Sequence, residues 1–223
     1  MSFNFSNVIA LKNEIIQACL DTIIMVGLSS IASIFVGGLL GILLFVTGDN
    51  QIRENKYIHQ ALSQTVNFMR AFPFVILMVA LLGITRMVVG TSFGPIAAAF
   101  VLSIAGLFYF SRLVEQNLQE VPGDIIEAAQ ILGASYPKII FSILLKESLP
   151  GIILSASILI ITLLSSSAAG GMIGGGGLGD LAIRYGYQRY QPDVVVFIVI
   201  LLSIMVVIIQ SVGNFLATKL NRK

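Results

Sequence analysis

Apolar positions in this 223-residue chain gather into long runs, and charged ones cluster between them. Charge-free stretches approach the ~20 residues that a helix needs to cross a hydrocarbon core. Five such runs stand out. The first lies between Asp21 and Asp49, and the second starts near Ala61 and runs through Phe72 to Ile84, interrupted only by Arg70. The third fills the interval from Arg86 to Arg112, the fourth begins near Leu149 and continues to about Ala169, and the fifth runs from Val194 to Thr218. Open strands cannot satisfy their backbone groups in lipid, so these runs predict helices over 20–47, 61–85, 88–112, 149–169 and 194–218. The expected fold is an all-α membrane protein, a single transmembrane domain over residues 1–223.

Composition agrees with that class. Apolar residues make up 57% and charged residues 11%, against roughly 25% charged in soluble domains, and the mean hydropathy is +0.95. A net charge of +2 with no dense run of Lys or Arg leaves no electrostatic footprint for nucleic acid. Cys19 and His59 are the only residues of their types, so one copy can build neither a disulfide nor a multi-ligand His/Cys metal site. Residues 1–20 have no basic leading segment and mix Lys12 and Glu14 into an amphipathic stretch, so the first span is expected to stay in the mature protein.

Five spans place the termini on opposite faces, and the basic residues choose the orientation. With a cytoplasmic C-terminus, Arg53, Lys56, Arg70, Arg112, Lys138, Lys146, Lys219, Arg222 and Lys223 lie inside. Lys12, Arg86, Arg184 and Arg189 lie outside, so the count is nine against four, as the positive-inside rule requires. The N-terminus is therefore expected outside, and the loop 120–147 in the cytoplasm.

That loop is a polar, helix-forming interruption. Val121-Pro122-Gly123 predicts a turn, Asp124 an N-cap, and Ile125 to Leu132 a helix of about two turns, stopped by Gly133 at C′. Ser135 with Pro137 reads as the cap and first turn of the next helix. Ile125, Ala128, Ala129 and Leu132 share one face, with Glu127 beside it. A helix this short is marginal alone in water, so packing must hold it, on its own bundle or in a partner's groove.

The glycine-rich segment Gly170 to Gly179 is the second interruption. Four consecutive glycines cost a helix roughly 1 kcal/mol each relative to Ala. Read blandly it is a flexible external turn. The reading we favour is a close-packed, partly re-entrant loop near the pathway, built from Gly174, Gly175, Gly176, Gly177 and Gly179, with Asp180, Arg184 and Arg189 as a receptor-facing polar rim. Arg70 is expected to snorkel to the cytoplasmic surface. Gly37 to Gly41 and Ala97 to Ala99 read as helix-packing positions, and Ser165-Ser166-Ser167 as serines bonded to their own helix.

Glu127-Ala128-Ala129, then Gly133, Ile143 and Leu149-Pro150, resembles the EAA loop of permease subunits of bacterial ABC importers. Gly174 to Val194, together with Arg70-Ala71-Phe72-Pro73-Phe74, is similar to the methionine-type members. The resemblance implies a type I importer permease fold in the bacterial cytoplasmic membrane, with a cytoplasmic EAA-type coupling helix in which Glu127, Ala128, Ala129 and Gly133 engage an ATP-binding subunit. Lys146 departs from the pattern, standing where many relatives carry a proline, and Pro150 is left to kink the fourth span. The implied partners are a second copy of the chain, two ATPase subunits that bind ATP and Mg, and an extracytoplasmic methionine-binding lipoprotein. The chain has no G-x-x-x-x-G-K-[ST] segment to cradle phosphates, so ATP hydrolysis is assigned to the partner and no cofactor to this chain. A permease for another small solute, such as a different amino acid or a quaternary amine, is the second reading. A self-sufficient secondary transporter or channel is the third, and it would require intramembrane acids for ion coupling.

Overall fold

The computed structural model describes residues 6–49 and 51–221. Arg222 and Lys223, two of the cations counted toward the cytoplasmic face, lie outside the described residues. Every regular element among the described residues is helical.

Four helices are long and apolar enough to cross a membrane: Lys12–Thr47, Pro95–Gln119, Tyr136–Gly170 and Pro192–Leu220. The pair Lys56–Ala71 and Phe74–Ala80 passes the same test when taken together, as a broken fifth span. The break falls at Pro73, whose backbone is extended at φ −58° and ψ 135°. Proline has no N–H to donate and disfavours helical geometry in the residue before it, so the helix stops at Ala71 and restarts at Phe74. The single run expected over 61–85 is thus several pieces, the last being Leu82–Val89, closed by Gly90 in the left-handed region.

The Lys12–Thr47 and Tyr136–Gly170 helices, the first and fourth spans, each contain a π-helical turn, at Ser33–Gly37 and Ile140–Leu144. The fourth begins at Tyr136, well before the apolar run at Leu149, because residues 136–147 form an amphipathic lead-in. It passes through Lys146 without interruption and keeps Pro150 inside it.

The chain groups into two compact units. One comprises Met1–Ala32, Phe72–Gly106 and Ile160–Ile209. Its core is Ile15, Ala18, Leu178, Leu181, Tyr185, Val194 and Ile198, so the start of the first span, the segment after the glycines and the start of the last span pack as one body. Asn7 Nδ2 donates to Asp193 Oδ1 at 3.1 Å and fastens the N-terminal helix Ser6–Ala10 to the start of the last helix. Ala97, Ala98 and Ala99 are buried there, as expected of helix-packing positions.

The other unit comprises Ser33–Ala71, Leu107–Leu159 and Gln210–Lys223. Two glycines set its closest helix approach. A Cβ at Gly37 would lie 2.5 Å from the Leu107 carbonyl oxygen, and one at Gly41 would lie 2.5 Å from that of Ser111. Both numbers rise together, so the first and third spans run side by side in the same direction here. His59 Nδ1 lies 3.0 Å from the Leu44 carbonyl oxygen, and the Asn55 amide donates to Thr47 O at 3.0 Å, which caps the end of the first span.

Candidate functional site: the exposed short helix and the glycine-rich loop

The interruption after the third span folds into a helix over Gly123–Ile131. Its N-cap is Pro122, and no side chain caps it. Asp124, expected as the N-cap, falls instead in the first turn, where its charge still suits the helix dipole. Gly133 takes φ +75°, and its amide donates to Gln130 O at 2.9 Å while that of Ala134 reaches Ala129 O at 3.0 Å. This is the left-handed stop that glycine allows at little cost. Ser135 caps the following helix in extended geometry, with proline in its first turn, although its hydroxyl makes no capping bond.

Of the face formed by Ile125, Ala128, Ala129 and Leu132, only Ala129 is buried against the fold. Ile126 and Ala129 point into the unit, near Ile52 and Val121, which are also buried. Ala128 is exposed, Ile125 is partly so, and Leu132 is 86% exposed beside Ile131 at 85%. Only the Ala129 part of the proposed packing face is used internally. Ile52, from the loop after the first span, lines the same cleft as Ile126. Two large aliphatic side chains are left exposed, and Tyr136, four residues on, is 54% exposed as well. Apolar groups clustered in this way on a polar loop mark an interaction surface.

Glu127 is exposed, and among the described residues it makes no hydrogen bond or ion pair. It borders a polar cleft of about 290 Å³ with Gln51, Gln119 and Gln130. A second, wider cleft of about 580 Å³ opens beyond Gly133, lined by Gln130, Ala134, Ser135, Tyr136 and Pro137. Glu127, Ala128 and Gly133 are therefore brought together on accessible surface, and Ala129 is the residue that anchors them.

In the other unit the glycine-rich segment is folded tightly. A π-helical turn, Gly171–Gly175, leads through Gly176 into a short helix, Gly177–Leu181, and a further π-helical turn, Ala182–Tyr187. Gly174, Gly176 and Gly177 all have positive φ. Gly175, Gly177 and Gly179 are buried, and a Cβ at Gly179 would meet the Ala168 backbone at 2.3 Å. Thr22 Oγ1 accepts a hydrogen bond from the Leu178 amide at 2.9 Å, tying the loop to the first span. The segment is close-packed, and the glycines are there because backbone fills the space that side chains would need. No sequence pattern singled out Thr22, a hydroxyl inside an apolar run.

Asp180 and Arg184 form an ion pair at 2.7 Å, and both Arg184 and Arg189 stack on the Tyr185 ring, with guanidinium carbons 5.5 and 4.4 Å from its centroid. The Asp180 hydrogen bond holds the Arg184 guanidinium above its ordinary pKa. Tyr185 is shifted upward too, first by its hydrogen bond to Glu14 and then by burial. Asp180, Arg184 and Arg189 thus form a connected cluster, with Tyr185 as its unpredicted centre. Of the serine cluster, Ser167 Oγ donates to the Leu164 carbonyl of its own helix, as expected.

Apolar spanning helices, a seated and outward-facing two-turn helix, and a close-packed glycine loop define the membrane subunit of a multi-component transporter. The chain belongs to the family of binding-protein-dependent transport system inner membrane components, whose profile matches residues 33–223. It is 40% identical, over the full length of both chains, to a protein of Vibrio cholerae named "Probable D-methionine transport system permease protein MetI". It is 38% identical to the methionine import system permease protein MetP of Bacillus subtilis, covering 81% of this chain and 82% of that one. Among solved structures, an inward-facing MetNI methionine ABC transporter superimposes with a TM-score of 0.93 at 36% identity, over 96% of this chain and 99% of that chain. An amino acid ABC transporter crystallised with histidines shares the fold at a TM-score of 0.79 and 17% identity. The chain is a multi-pass membrane protein of the type I importer permease fold.

Proposed function

We propose that this chain is the permease subunit of an ATP-driven methionine importer, forming the translocation pathway by alternating access in the bacterial cytoplasmic membrane. The observation that carries the reading is the short helix Gly123–Ile131, anchored by Ile126 and Ala129 and left with Ile131 and Leu132 exposed. The subunit is non-catalytic. ATP and Mg are bound by the partner ATPase, two copies of which assemble with two copies of this permease. Closing of the ATPases is transmitted through the surface around Glu127, Ala128 and Gly133, while Ala129 holds that surface to the spans. Unpaired Glu127 is free to accept hydrogen bonds from the partner.

The N-terminus lies outside and the C-terminus in the cytoplasm. The loop holding Gly174, Gly175, Gly176, Gly177 and Gly179 is then external, and the Asp180, Arg184 and Arg189 cluster faces the methionine-binding lipoprotein that delivers the solute. Its close packing supports a gate that moves as a body. The test is ATP-dependent uptake of labelled methionine by cells lacking their own copy and carrying either this chain or Glu127→Lys. The unaltered chain restores uptake and the ATPase subunit purifies with it, while Glu127→Lys loses most uptake. Normal uptake by Glu127→Lys would remove the role assigned to the loop.

A further inference from the structure

One backbone position just before the last span is strained, and the fold draws nothing from it. Tyr190 has φ +55° and is the one non-glycine residue with positive φ among the described residues. The other positive-φ positions are glycines, three of them in the segment 174–177. The left-handed region is unfavourable for a bulky side chain, and glycine or asparagine enters it at lower cost. Yet the Tyr190 side chain is 89% exposed and makes no hydrogen bond or ring contact among the described residues. Strain that nothing inside the molecule offsets points to a use outside it.

The turn that carries Tyr190 is firmly held. The Gln188 amide donates to Ile183 O at 2.9 Å, that of Gln191 to Gly186 O at 3.2 Å, and that of Val194 to Gln191 O at 3.1 Å. Gly186 is buried, and a Cβ there would lie 2.1 Å from Val195 Cγ2, so the turn packs onto the start of the last span. From this base Tyr187 is displayed at 75% exposure, with Gln188 and Arg189 exposed between the two tyrosines. Arg184 is paired with Asp180, whereas Arg189 has no ion pair among the described residues and lies over the Tyr185 ring at 4.4 Å. Stacking uses the face of its guanidinium and leaves the in-plane N–H groups free to donate, in a fork that suits a carboxylate.

Tyrosine and arginine are the residue types enriched at the centres of protein–protein contacts, and a rigid turn lowers the cost of ordering them. A tyrosine serving only the lipid headgroup region would need no strained backbone to reach it.

We propose that Tyr187 and Tyr190 are the anchors on which the extracytoplasmic binding protein seats, entering apolar pockets on that protein while Arg189 takes one of its carboxylates. This deepens the importer reading and rests on it, because the turn must face outward. The family is binding-protein-dependent, so a soluble carrier has to meet that face.

The test is ATP-driven uptake of labelled methionine by the intact transporter in liposomes, with ATP enclosed and its purified binding protein titrated outside. The variants are Tyr190→Gly, Tyr190→Asn, Tyr190→Phe, Tyr187→Ala and Arg189→Gln, and the thermal midpoint of each complex is read alongside. Tyr190→Gly and Tyr190→Asn relieve the backbone, so their midpoints should equal or exceed that of the unaltered chain. Their half-saturating concentration of binding protein should nevertheless rise about tenfold or more, the scale of one interface anchor, with uptake recovering at saturation. Tyr187→Ala should shift in the same direction, and Tyr190→Phe, which keeps the ring, should shift less. Added salt should weaken the unaltered chain more than Arg189→Gln. A half-saturating concentration within twofold of the unaltered chain for both Tyr190→Gly and Tyr190→Asn overturns the inference, and is the result expected of a ring that serves only the membrane surface. A loss that persists at saturating binding protein, or that follows a lowered midpoint, overturns it as well. An unaltered complex whose uptake does not depend on the binding protein would instead defeat the importer reading itself.

Discussion

The approach between the first and third spans yields a paired prediction. In Gly41→Ala the new Cβ would lie 2.5 Å from the Ser111 carbonyl oxygen and 2.7 Å from Val114 Cβ. The first neighbour is backbone, so no rotamer change relieves it and the helices must separate. Overpacking of this kind costs about 1–3 kcal/mol. Against that stands the gain of about 1 kcal/mol for replacing Gly by Ala inside a helix. Gly27 lies in the same span with nothing within 4 Å of its added Cβ, so Gly27→Ala keeps the gain without the clash. The two variants should therefore differ by about 1–3 kcal/mol, in opposite directions from the unaltered chain. The assay is the half-life of the detergent-purified complex at fixed temperature, since membrane complexes unfold irreversibly. Equal half-lives, or a longer one for Gly41→Ala, would refute the packing argument.

Ile126→Ala removes the anchor of the short helix and should cost about 2 kcal/mol or more locally. The ATPase subunit should then be lost on purification, while the spans keep their helical circular dichroism. Thr22→Val deletes the acceptor of the Leu178 amide and leaves a buried N–H unsatisfied, at about 1–3 kcal/mol. Proteolysis from outside should then cut within 174–190 faster, and unchanged cutting would count against a tied loop. Gly133→Val forces a β-branched residue to φ +75° and should slow methionine uptake severalfold without displacing the permease from the membrane.

The spans were legible where charge alone bounds them, and the left-handed stop at Gly133 was legible because one residue type serves that geometry. The rest depended on tertiary contacts. A two-turn helix offers several faces of similar hydrophobicity, and only tertiary packing decides that Ile126 goes in and Leu132 stays out. Hydropathy averages over Pro73, so the second span read as one run although its backbone breaks there. Residues 136–147 carry too much charge to read as part of a span, yet their backbone is continuous with it. Tyr185 and Thr22 became visible only through distant partners, Glu14 in one case and the Leu178 amide in the other.

The central claim is that the exposed end of the Gly123–Ile131 helix is the joint to the ATPase. It is tested most directly by site-directed crosslinking of Leu132→Cys in a Cys19→Ser background, which removes the only native thiol. With the co-expressed ATPase bearing single cysteines, Leu132→Cys should form a disulfide-linked permease–ATPase species in inverted vesicles, and ATP should change its yield. A thiol at this position that reacts only with an impermeant reagent applied from outside, or that never links to the ATPase while the complex stays assembled, would contradict the account.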